Sequence, residues 1–99
     1  MVINDYSETN DKAKVLLFTA PWCGPCKVIK QVIAKIPEAD FGDVKLYAIN
    51  VDKDAEMAKK YSVRSIPTMV FIKDGAVVDS VIGALNEDSI KSKVSEYLL

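Results

Sequence analysis

Cys23-Gly24-Pro25-Cys26 is the segment whose residue types and spacing carry chemistry. A thiolate is the nucleophile in thiol–disulfide exchange, and a free cysteine has a pKa of about 8.5. At the first turn of a helix, unpaired backbone N–H groups and the positive end of the helix dipole point at the Cys23 sulfur and stabilise its anion. Pro25 suits that turn because its missing N–H has no intrahelical partner there. Gly24 puts no side chain over the sulfur. Two intervening residues set Cys26 one turn further in, close enough to form a disulfide with Cys23. The implied chemistry has two steps. Cys23 attacks a substrate disulfide, and Cys26 then attacks the mixed disulfide and releases the reduced substrate. The first cysteine is expected to meet solvent and the second to lie under the helix. Two other uses of a Cys-x-x-Cys compete: half of an intermolecular zinc site, or a pair of unreactive core cysteines.

Composition narrows the field around this motif. The chain has 99 residues, which supports a single domain over 1–99. It has no histidine, so no Ser-His or Cys-His dyad and no imidazole metal site can be built from it. Its two cysteines fall short of the four ligands of a closed zinc site, and no metal is expected. A net charge of −1 supplies no broad basic face for nucleic acid. No apolar run approaches the roughly 20 residues of a membrane span, and the first residues do not read as a secretory signal. A lone close cysteine pair fits a reducing, cytoplasmic setting, where such pairs are catalytic or metal-binding more often than permanent staples. A monomer is expected.

The elements that position the cysteines follow from patterning. Lys14 to Ala20 is a short, nearly continuous apolar run that reads as a strand buried on both faces, ended by Pro21. Val28, Ile29, Val32, Ile33 and Ile36 then form one helical stripe, stopped at Pro37. Val44 to Val51 is a second strand, apolar on both faces. Asp54 caps a short helix through Met57, Ala58 and Tyr61. Thr68 to Ile72 and Val77 to Ile82 flank the tight-turn signature Asp74-Gly75 and pair as a hairpin. Gly83 breaks the pattern, and Asn86 caps a last helix with Ile90, Val94, Tyr97 and Leu98 on its apolar face. Val2-Ile3 forms a short extra strand and Tyr6 to Lys12 a short first helix. Two βα units followed by a hairpin predict an α/β fold. Its mixed sheet of four to five strands has helices on both faces. The cysteines then sit where the first strand ends and the first helix begins, the setting in which Cys-x-x-Cys becomes a strong redox signal.

Trp22-Cys23-Gly24-Pro25-Cys26-Lys27 resembles the active motif of the thioredoxin family. Phe18-Thr19-Ala20-Pro21, Asn50-Val51-Asp52, Ile66-Pro67-Thr68, Gly75 and Gly83-Ala84-Leu85 match further family segments in the expected order. The resemblance covers the chain from about Lys14 to its end. It implies the thioredoxin fold and a protein-disulfide reductase that carries electrons on the Cys23-Cys26 couple. No separate cofactor is implied, and NADPH enters only through a thioredoxin reductase. By the same resemblance Ile66-Pro67 is a cis peptide facing the cysteines. Trp22, Gly24, Pro25, Ile66, Pro67, Gly83 and Ala84 then form a shallow docking surface for disulfide-containing substrate proteins, with Trp22, Gly24, Pro25 and Lys27 also setting the environment of the thiols. A glutathione-linked, glutaredoxin-like role and a non-redox binding subunit are the alternatives. Gly24-Pro25 argues against the first, since glutaredoxins usually carry Pro-Tyr there.

The chain departs from the family at two coupled positions. Leu17 stands where the family usually has a buried aspartate, and Ala48 where it has that aspartate's lysine partner. Losing both together is coherent, because losing one would strand a buried charge. The family's aspartate is thought to help move the proton of the second cysteine, and this chain has no such group. Gln31 replaces a helix-kinking proline, so a straighter helix is expected.

Overall fold

The computed structural model describes residues 2–3 and 11–99. Their elements are β1 (Val2–Ile3), β2 (Ala13–Thr19), α1 (Gly24–Lys35), β3 (Lys45–Asn50), α2 (Ala55–Lys60), β4 (Thr68–Lys73), β5 (Ala76–Ile82) and α3 (Glu87–Lys93). A 3-10 turn at Glu38–Phe41 follows α1, and a π-helical turn at Val94–Leu98 extends α3. The sheet order is β1-β3-β2-β4-β5. β1 and β2 run parallel to β3, and β4 pairs antiparallel with both β2 and β5. A parallel β2–β3 pair needs a crossover, and α1 supplies it. The expected first helix over Tyr6 to Lys12 falls mostly outside the described residues; Asp11 and Lys12 are not helical.

Every residue of β2 is buried, as its apolar run requires of a strand with neighbours on both edges and layers on both faces. Val15 and Leu17 point to one face and pack with Ile29 and Ile33 of α1 and Ile90 and Val94 of the C-terminal helix. Leu16 and Phe18 point to the other, with Tyr47, Ile49, Val70 and Ile72, under Met57, Ala58 and Tyr61 of the α2 region. Helices therefore cover both faces. The Asp74-Gly75 turn has positive φ at both residues (52° and 81°), as a type I′ hairpin demands. Asp54 Oδ1 accepts from Met57 N–H and Asn86 Oδ1 from Ser89 N–H, so both expected caps form. Asp79 of β5 accepts from Lys93 Nζ at 2.6 Å, which raises the lysine's pKa and ties α3 to the edge strand.

One position of the α1 stripe is corrected. The buried residues are Cys26, Ile29 and Ile33, with Val32 partly covered, whereas Val28 is 53% exposed. At 100° per residue Val28 lies about 200° around the helix from Cys26, so it faces solvent once Cys26 faces the sheet. The helix runs unbroken for its 12 residues.

Candidate functional site: a disulfide at the start of α1

The site forms where β2 and β3 end. Val51 N–H donates to Thr19 C=O at 2.9 Å, holding the two strand ends together. The chain then turns at Ala20-Pro21-Trp22, with Cys23 N–H donating to Ala20 C=O at 3.1 Å. Cys23 is the N-cap of α1: its backbone is extended, and its Sγ accepts from Cys26 N–H at 3.2 Å. Pro25 lies in the first turn, which has no acidic residue. A sulfur in this position takes the place of the side-chain oxygen that usually caps a helix, and it faces N–H groups that favour negative charge.

Cys23 and Cys26 are joined as a disulfide with Cα atoms 5.3 Å apart. Their burial differs in the expected order but not in the expected degree. Cys26 is 1% exposed and Cys23 only 5%, so Cys23 is not openly solvated. In the oxidised form its sulfur is turned toward Cys26, and the pair packs with Ala20, Val51 and Ile66. Gly24 and Pro25, between the two cysteines, are both exposed. A Cβ on Gly24 would meet nothing within 4 Å, and Gly24 needs no positive φ. The chain's own packing therefore does not require glycine there.

The Ile66-Pro67 bond is cis, and Ile66 is half-buried against the cysteines while Pro67 is buried. Two hydrogen bonds hold the loop. Thr68 Oγ1 donates to Ser65 C=O at 2.6 Å, and Gly83 N–H donates to Pro67 C=O at 2.8 Å. The second brings Gly83, which has a φ of 97°, to the proline; Ala84 beside it is exposed. Trp22 is 70% exposed, and Lys27 is exposed with no ion pair among the described residues.

Two features of this surface escape sequence reasoning. Trp22 Nε1 donates to Asp52 Oδ2 at 2.9 Å, across thirty positions of sequence. Asn50 Oδ1 accepts from Asp52 N–H at 2.9 Å, an Asx turn that sets the aspartate there. Ile82, paired in register with Thr68 and 70% exposed, adds an apolar side chain next to Gly83.

Leu17 and Ala48 are register partners across β2 and β3, and both are buried. Leu17's partner on β4 is Met69, also buried. The slot that takes a charged pair in the family is apolar on all three strands. Among the described residues no group of three or more His, Cys, Asp or Glu gathers in one place.

The family model described as Thioredoxin matches residues 3–96. The chain belongs to the thioredoxin family. A chloroplastic M-type thioredoxin of Pisum sativum is 43% identical over 81 residues, 82% of this chain and 47% of that protein, so this chain spans about half its length. A thioredoxin of Chlorobaculum thiosulfatiphilum is 40% identical over 89 residues, 90% of this chain and 82% of that one. Among solved structures, a point mutant of a Halobacterium salinarum thioredoxin superposes with a TM-score of 0.83 at 30% identity, over 100% of this chain and 90% of that one. With this membership and the Cys23-Cys26 disulfide, the chemistry is dithiol–disulfide oxidoreduction on the thioredoxin fold.

Proposed function

We propose that this chain reduces protein disulfides, with Cys23 as nucleophile and Cys26 as resolving thiol. The observation that carries the assignment is the N-cap geometry: Cys26 N–H donates to Cys23 Sγ, while Cys26 itself is closed under the helix. In the reduced protein the Cys23 thiolate attacks one sulfur of a substrate disulfide. A Cys23–substrate bond forms, the substrate S–S bond breaks, and the departing sulfur takes up a proton. Cys26, losing its proton, attacks the Cys23 sulfur and expels the second substrate thiol. The substrate gains two electrons and two protons, and the protein returns to the disulfide.

An NADPH-dependent thioredoxin reductase recharges the couple in this reading, and the setting is a reducing cytoplasm with the chain as a monomer. The intact thiol pair and the Gly24-Pro25 turn support it. The substrate strand lies along the Ile66-Pro67 loop between Trp22 and Gly83-Ala84, and Ile82 extends the apolar contact. The test is reduction of insulin disulfides with NADPH and a thioredoxin reductase, or with glutathione and its reductase. Turnover with the first system and little with the second is expected. The reverse preference would make the chain glutaredoxin-like. No turnover with either, together with partner binding that survives Cys23→Ser plus Cys26→Ser, would make it a binding subunit.

A further inference from the structure

The charges of this chain are unevenly distributed. The stretch 20–36 carries Lys27, Lys30 and Lys35 and no acid. The stretch 51–67 carries four cations and three acids, and two of those acids are engaged, Asp52 by Trp22 and Asp54 by its own helix. These two stretches frame the disulfide. They hold seven of the chain's 13 Lys and Arg but only three of its 14 Asp and Glu. The overall charge of −1 conceals two stretches of net positive charge in a chain whose other residues are net acidic.

Within the second stretch a depression of about 400 Å³ opens between α2 and the loop after it. Ala55, Ala58 and Val63 give it small, apolar walls, and Lys59, Ser62 and Arg64 complete the lining. No acid lines it; Glu56, the remaining acid of the stretch, is exposed on α2. The Lys59 and Arg64 side chains have no ion-pair or hydrogen-bond partner among the described residues, in contrast to Lys91 and Lys93, which are paired with Asp40 and Asp79. Arg64 stands two residues before Ile66, which packs on the cysteines. Two residues of chain span at most about 7 Å, so Arg64, at the rim of the depression, stands within that reach of the loop beside the disulfide.

We propose that this depression is a subsite for an acidic segment of the substrate protein, adjacent in its chain to the disulfide under attack. Lys59 and Arg64 receive its carboxylates, Arg64 with a planar fork suited to two-point binding. The small side chains at Ala55 and Ala58 leave room for the segment's backbone. The proposal rests on the docking role assigned above to the Ile66-Pro67 loop. It makes the site selective among disulfides through charge at its rim, where complementarity acts mainly on encounter rate.

The test uses three peptides with one common disulfide, flanked by glutamates, by neutral polar residues or by lysines. Their kcat/KM is compared between the wild-type chain, Lys59→Glu plus Arg64→Glu, and Lys59→Gln plus Arg64→Gln. At low salt the wild type is expected to favour the acidic over the basic peptide by roughly tenfold. The preference should shrink at high salt, disappear in the glutamine variant and invert in the glutamate variant, with the neutral peptide unchanged throughout. Equal rates for the three peptides, or a preference that survives both variants, would overturn the subsite while leaving the oxidoreductase reading intact. A wild type that reduces none of the three overturns both.

Discussion

The two sides of the disulfide are unlike. On the inner side, the strands under α1 present Leu17, Ala48 and Met69, three buried apolar residues in register. On the outer side stand an exposed tryptophan hydrogen-bonded to Asp52, an open glycine and proline, and cations at Lys27 and Arg64 that are unpaired among the described residues. The inner side gives the Cys26 thiol no carboxylate to receive its proton, and an apolar layer costs nothing in unpaired charge. In the proposed mechanism the backbone N–H groups at the start of α1 favour the Cys23 thiolate, and the Cys26 proton leaves toward water or substrate. In the proposed reading structure and reactivity divide along this line: the inner layer holds the fold, and the outer layer meets the partner.

The largest expected effect comes from breaking the inner layer. Leu17→Asp removes a fully buried side chain from the core and places a carboxyl between Ala48 and Met69. We expect a loss of about 3 kcal/mol or more, from lost apolar burial and an unpaired buried polar group together. Burial raises the new acid's pKa in the folded state. The folded protein then holds the proton more tightly than the unfolded one, and the loss deepens as pH rises above the ordinary carboxylate range. Urea unfolding at several pH values measures this, and an unchanged or higher midpoint would contradict it. The same variant should alter the pH profile of turnover by giving Cys26 an internal proton acceptor. An unaltered profile would mean that the acceptor is immaterial here.

A smaller and opposite pattern is expected on the outer layer. Gly24→Ala adds a Cβ that meets nothing in the chain, at a helical position with no positive φ. Thermal unfolding should show stability unchanged or raised by up to about 1 kcal/mol. Turnover of a protein disulfide should nevertheless fall several-fold, because the methyl group stands beside the path to Cys23. Loss of stability, or full activity, would show that the glycine is not there for the partner.

Much of this arrangement is legible in the sequence. The β2 run, the Asp54 and Asn86 caps and the Asp74-Gly75 turn are local signals, and each forms where its residues place it. What stays hidden is long-range. Val28 belongs to the apolar stripe by spacing alone, and only the docking of Cys26 on the sheet turns it outward. The burial of Cys23 depends on Ile66, forty-three positions away, and the Trp22–Asp52 bond depends on the meeting of two strand ends. Leu17 and Ala48 stand out through family resemblance, but that they face each other is a fact of β-sheet register.

The most direct measurement of the central claim is mass spectrometry of single-cysteine variants mixed with a disulfide substrate. Cys26→Ser should accumulate a covalent Cys23–substrate adduct that the wild type passes through too quickly to hold. Cys23→Ser, with its remaining thiol closed under α1, should accumulate almost none. Equal trapping by both variants, or trapping by Cys23→Ser alone, would contradict the assignment of nucleophile and resolving thiol.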